Sequence, residues 1–146
     1  MAMLFRPKPI PQKYRELFEK IVSDSIRLDN ICNVYRGIWT GVLHIFVVTS
    51  AEIKEYEIER DAIKPLLRGK DIFPFRYKWS DRWIIYSNGE EFKDKFPNAM
   101  KYLSQFKTIL ERRGAVWVYK RNWWELEEPL SPELFEAKKN IVPLYI

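Results

Sequence analysis

The chain has 146 residues, 47% of them hydrophobic, enough apolar material for the core of one ordinary domain and too little for two comfortable ones. A formal net charge of +5 admits a polyanionic partner without requiring one, and an aromatic content of 16% excludes a disordered chain, which lacks groups to bury. One cysteine, Cys32, excludes an internal disulfide and one histidine, His44, excludes a soft-ligand zinc cluster, so a reducing, cytoplasmic setting is expected.

In chain order, the opening MAMLFRPKPIPQ has no long apolar stretch after its charges, so neither a signal peptide nor a membrane anchor is expected. No later window approaches the ~20 apolar residues needed to span a bilayer. The run QKYRELFEKIVSDS sets Tyr14, Leu17, Phe18, Ile21 and Val22 at helical spacing and predicts an amphipathic helix. IRLDNICNVYRG leads to a corner between Gly37 and Gly41, and VLHIFVVTS is a continuous apolar run that predicts a buried strand. Within it His44 is read as a hydrogen-bonded core or edge histidine, and Cys32 upstream as a small buried residue. EIKEYEIER alternates like an exposed edge strand; Asp61 then suits the N-cap of a short helix through Leu67, which Gly69 would stop.

RWIIYS reads as a strand and SNGEE as a turn. Residues 97–113 predict the clearest helix, with Ala99, Leu103, Phe106 and Leu110 on one stripe, Pro97 in its first turn and Gly114 past its end. AVWVYKRNWWELEEP has strand-like stretches around a basic centre, and IVPLYI reads as a closing strand. Helices and short strands interleave without a regular βαβ period, so the expected fold is α+β, a single compact domain of short strands and a few helices.

The charges are segregated. Residues 64–82 carry six basic side chains against two acids and residues 101–125 another six against two, whereas residues 125–136 carry five acids and no base. One face is therefore expected to accept phosphate. Arg68, Lys70, Arg76, Lys78, Trp79 and Arg82 place cations among aromatics, a composition suited to phosphate neutralisation; the competing reading has Arg68 and Lys70 fixing the Gly69 turn against Asp71, and Trp79 or Trp83 in the core. Lys120, Arg121 and Asn122 are the candidates for base readout, because arginine pairs bidentately with guanine and asparagine with adenine. An ordinary polar loop between aromatic strands is the alternative there, with Trp123 and Trp124 structural. Arg112 and Arg113 suit the last turn of a helix without any ligand.

Five scattered glycines supply no phosphate or S-adenosylmethionine loop. Glu136-Ala137-Lys138 matches half of a metal-dependent nuclease centre, but its surroundings, SPELFEAKKN, read as a solvated turn or a single helical turn.

Three ordered stretches make the sequence similar to a known family: RGIWTGVLHIFVV (residues 36–48), IKPLLRGKDI (residues 63–72), and the run from FPNAMKYLSQFKTILERRG through NWWELEEP to FEAKKNIVP. Together they resemble the TaqI-like C-terminal specificity domain of adenine-specific DNA methyltransferases and combined restriction-methylation enzymes. The chain departs from the family pattern at Leu43, where an asparagine is usual, and at Ile45, where a small residue is usual. The resemblance implies that residues 27–146 form a target-recognition domain for double-stranded DNA and that residues 1–26 are an N-terminal helix connecting from a catalytic domain. A methyltransferase domain, in the same polypeptide or a separate subunit, would bind S-adenosylmethionine and flip the adenine. The Asn/Asp-Pro-Pro-aromatic motif of such catalytic domains is absent here, so this chain is expected to be non-catalytic on its own and a fragment or partnered subunit. A metal-dependent nuclease and a protein-interaction module of a restriction-modification complex are the alternatives.

Overall fold

The computed structural model describes residues 10–128 and 132–141. The chain divides into two units, Met1–Arg36 and Gly37–Ile146, a boundary ten residues beyond the 26/27 division expected from sequence.

In the first unit, a 3-10 turn at Gln12–Tyr14 leads into helix α1, Arg15–Ser23. This is the expected amphipathic helix, and Leu17, Phe18, Ile21 and Val22 on its apolar stripe are exposed. A second 3-10 turn, Leu28–Asn30, precedes Cys32, which is exposed and donates its thiol to the Leu28 carbonyl at 3.5 Å. The expectation of a buried cysteine is corrected, since Cys32 is exposed.

The second unit mixes short helices with small antiparallel sheets, the α+β composition expected. VLHIFVV is buried as expected at Ile45, Phe46 and Val48, but it is not a continuous strand: Leu43–Phe46 form a helical turn (α2) and only Val47–Val48 (β1) pair. Periodicity alone cannot separate a short buried strand from a helical turn. His44 lies in the α2 turn and is exposed, which corrects the reading of a core or strand-edge histidine. Helix α3, Ser50–Glu55, replaces the expected edge strand, because Thr49 and Glu52 form a capping box in which the Thr49 N–H donates to Glu52 Oε2 at 2.7 Å. Arg60–Ala62 is a single 3-10 turn and Ile63–Pro65 a strand (β2), so no helix runs from Asp61 to Leu67. Gly69 starts the 3-10 turn Gly69–Asp71 and stops no helix.

Strand β3 (Ile72–Phe73) and strand β4 (Arg76–Tyr77) form a hairpin, and β5 (Trp83–Ile85) is the expected strand. β5 lies between β1 and β2, antiparallel to both, with Val47 opposite Ile84 and Ile63 opposite Ile85. The central position explains why Ile84 and Ile85 are both buried.

Helices α4 (Phe92–Lys95), α5 (Pro97–Ser104) and α6 (Lys107–Leu110) follow. The expected stripe is real, with Ala99, Leu103 and Leu110 fully buried, but the helix expected over residues 97–113 is broken at Gln105 and Phe106. Ser104 Oγ donates back to the Met100 carbonyl at 2.7 Å, and the next two N–H groups reach back three residues to Tyr102 and Leu103, tightening the turn. Gly114 then opens helix α7, Gly114–Trp117, so the strands expected around residues 115–127 are a helical turn followed by irregular chain with one bridge, Trp39 to Glu128. Helix α8, Pro132–Glu136, is the short helical turn expected there. Of the expected closing strand, Ile141 belongs to no regular element and residues 142–146 lie outside those described.

Candidate nucleic-acid interface

The first group of candidates comes from one excursion of the chain. Strands β2 and β5 are hydrogen-bonded neighbours, and the Leu66 N–H still reaches the Arg82 carbonyl at 2.8 Å, so residues 67–81 leave the sheet and return at the same place. Arg68, Lys70, Arg76, Lys78, Trp79 and Arg82 all belong to this excursion or its return.

Asp71 is its internal anchor. The Arg68 N–H donates to Asp71 Oδ2 at 2.8 Å, Ser80 Oγ donates to Oδ1 at 3.1 Å, and the Lys78 N–H reaches the Asp71 carbonyl at 2.8 Å. The backbone N–H of Arg68, followed by the Ser80 hydroxyl and the nearby Lys70 and Arg68 charges, holds this buried carboxyl below its usual range against the opposing effect of burial. Arg68 therefore fixes the Gly69 turn through its backbone N–H.

Exposure divides the six. Lys70, Arg76, Lys78 and Trp79 are exposed, while Arg68 and Arg82 are half-buried, each with an Nε that has no hydrogen-bond partner among the described residues. Trp79 is half in and half out: its Nε1 donates to the Arg82 carbonyl at 3.1 Å and its ring meets Trp83 edge to face at 5.1 Å. Trp79 lines an apolar notch of about 290 Å³ with Pro65, Leu67 and Tyr77. Trp83 packs against the core, and the Arg60 guanidinium stacks on its ring at 4.0 Å. Asp81, at φ 48°, fixes the return of the excursion by accepting from the hydroxyl and N–H of Ser50 and from Trp83 Nε1; those bonds hold its carboxyl below its usual range.

Lys120, Arg121 and Asn122 occupy a different neighbourhood. They form the turn after α7 and not the loop tip between two strands that sequence suggested. Lys120 is exposed at φ 55°. Arg121 is half-buried, with its guanidinium 3.5 Å from Asn88 Oδ1 and 3.9 Å from Glu125 Oε1. The Asn122 amide donates to Glu90 Oε1 at 2.7 Å, and its backbone N–H to Glu125 Oε2 at 2.8 Å. Contact with a base edge at Arg121 or Asn122 would have to exchange these bonds. Trp124 is buried and Trp123 packs on the core, the structural roles expected of them. Arg113 is buried too, and serves the interior.

Sequence reasoning missed Phe73, Phe75 and Tyr77, exposed aromatics of the β3–β4 hairpin. The signal was available: Phe73, Phe75, Tyr77 and Trp79 alternate with Arg76 and Lys78 at strand spacing. At the nuclease-like tripeptide, Glu136 Oε1 is paired with Lys64 Nζ at 3.1 Å on the surface. Among the described residues no group of three or more His, Cys, Asp or Glu is placed to hold a metal ion, and no helix is long and apolar enough to cross a membrane. No protein-family model and no curated protein matches the chain.

Proposed function

We propose that this chain supplies duplex-DNA recognition to an adenine-specific methylation or restriction-methylation enzyme, selecting and holding DNA while a methyltransferase domain, in cis or in trans, binds S-adenosylmethionine and carries out the transfer. The observation that carries the reading is the excursion between β2 and β5. It presents Lys70, Arg76 and Lys78 to solvent beside exposed aromatic rings, on a mount tied down by Asp71 and Asp81. Its first part lies within IKPLLRGKDI, the most distinctive stretch of the resemblance to the TaqI-like specificity domain.

The division of labour has a physical basis. Extruding a base costs a few kcal/mol and requires a second surface to hold the duplex in register, which phosphate contacts provide without reading sequence. No step of the transfer is assigned to this chain. The interface is tested by fluorescence anisotropy of a labelled mixed-sequence duplex across a salt series, with the Lys70→Ala/Lys78→Ala double variant alongside. The reading fails if the unmodified chain does not bind duplex, or binds it with no dependence on salt.

A further inference from the structure

The tip of the β3–β4 hairpin holds a residue for which folding has no use. Phe73 pairs with Arg76, so the loop is the two residues Pro74 and Phe75. Proline at the first loop position and φ 60° at Phe75 match a type II turn, whose second loop position normally takes glycine or asparagine because other side chains crowd the backbone there. A phenylalanine at that position is held in a disfavoured conformation. Its ring is also fully exposed, at 109% of the reference area, so burial returns nothing for it. Phe73 differs, since the Arg76 guanidinium lies 5.3 Å over its ring.

The mount beneath Phe75 is stiff. Ile72 pairs with Tyr77, the Lys78 N–H bonds to the Asp71 carbonyl, and the Asp71 carboxylate holds Arg68 and Ser80. The charges around the tip are cationic: Lys70, Arg76 and Lys78 are exposed, while the nearest acids in the sequence, Asp71 and Asp81, are engaged internally. A flat apolar ring on a narrow, rigid, cation-flanked projection complements a polyanion that contains flat apolar layers.

We infer that Phe75 is a wedge that enters the base stack of the bound duplex at one step, while Lys70, Arg76 and Lys78 hold the flanking phosphates. This rests on the DNA-recognition reading above and adds a deformation of the duplex to it. Apolar side chains placed between base steps unstack them and kink the helix, so sequence preference arises from how readily a step opens as well as from base edges.

The test uses the full chain and closed-circular plasmid. Nicked plasmid is religated with saturating protein and the linking number read on a gel; anisotropy with the mixed-sequence duplex is measured in parallel. The unmodified chain should lower the linking number. Phe75→Ala, which alters only an exposed side chain, should abolish that shift and weaken duplex binding about tenfold to a hundredfold, the range of one lost base–aromatic stack. Its salt slope should be unchanged, and Phe75→Leu should retain part of the shift. Salt-dependent binding without a linking-number change, or a Phe75→Ala protein that unwinds as the parent does, overturns the wedge and leaves the DNA-recognition reading standing. Absence of duplex binding by the parent chain overturns both, as does Phe75-dependent binding to vesicles of phosphatidylcholine and phosphatidylserine (3:1) in its place.

Discussion

Arg113 suits the end of a helix on sequence alone, yet its guanidinium is buried and spread over the backbone of three segments. Its Nε donates to the Leu110 carbonyl at 3.2 Å, its Nη1 to the Thr40 carbonyl and its Nη2 to the carbonyls of Trp123 and Glu125, the last three at 2.7 Å, and the group lies 4.9 Å over the Phe46 ring. Desolvation lowers its pKa, partly offset by the Glu127 charge. Removing the side chain strands those carbonyls, so Arg113→Ala is expected to cost about 3–5 kcal/mol in urea unfolding, and Arg113→Lys less. Asp71 gives a pH dependence. Its folded pKa is below 3.8, so the folded state binds fewer protons than the unfolded state as the carboxylate titrates. The stabilisation it gives is therefore complete above pH 3.8 and lost as pH falls through the lower folded value. Acid unfolding of Asp71→Asn should lack that component; a midpoint that shifts identically with pH in both proteins would refute it. The role of Arg113 was not legible in sequence, because an arginine near a helix end looks the same whether it faces water or closes a tertiary contact, whereas Asp71 as the anchor of the Gly69 turn was one of two readings the sequence offered.

Element by element, legibility followed the length and period of the pattern. Helix α1 and the stripe of Ala99, Leu103 and Leu110 repeat at helical spacing over several turns, and both were readable. The break at Gln105 was not, since it depends on the Ser104 back-bond and the tightened N–H contacts that follow. Helix α3 was lost to the alternation in EIKEYEIER, although Thr49 and Glu52 spell a capping box. Helix α5 is capped from a distance: Glu59 Oε1 and Oε2 accept from the N–H groups of Asn98 and Ala99 at 2.7 and 2.9 Å, and Pro97 at the first position has no N–H to satisfy. A carboxylate at a helix N-terminus also meets the positive end of the dipole. Glu59→Gln should therefore cost about 1–2 kcal/mol, because one oxygen acceptor and the charge are lost together. Chemical denaturation reports this, and an unchanged midpoint would show the cap to be dispensable. The β3–β4 hairpin escaped notice because its turn, Pro74-Phe75, carries no Asn-Gly or Asp-Gly signal.

Across the whole molecule, the proposed function predicts a collective electrostatic effect. A face that contacts ~6 phosphates loses about a thousandfold in affinity between 50 and 200 mM salt, and each lost phosphate contact lowers the slope of log K against log salt by about 0.9. Lys70→Ala/Lys78→Ala should accordingly bind all duplexes more weakly and with a slope smaller by about 2, because both side chains are exposed and lie on the same excursion. An unchanged slope would move the phosphate face elsewhere. The sequence by itself determined the α+β class, the main buried segments and the clustering of cations within residues 64–82, because composition, apolar runs and charge order are properties of the chain. It did not determine which of those cations face water, because that depends on pairings such as β2 with β5. Only the tertiary structure decided that Lys70, Arg76 and Lys78 project beside Phe75 while Arg121 and Asn122 are engaged by Asn88, Glu90 and Glu125. The physical reason is that a side chain's availability is set by partners distant in sequence, and spacing along the chain carries no record of them.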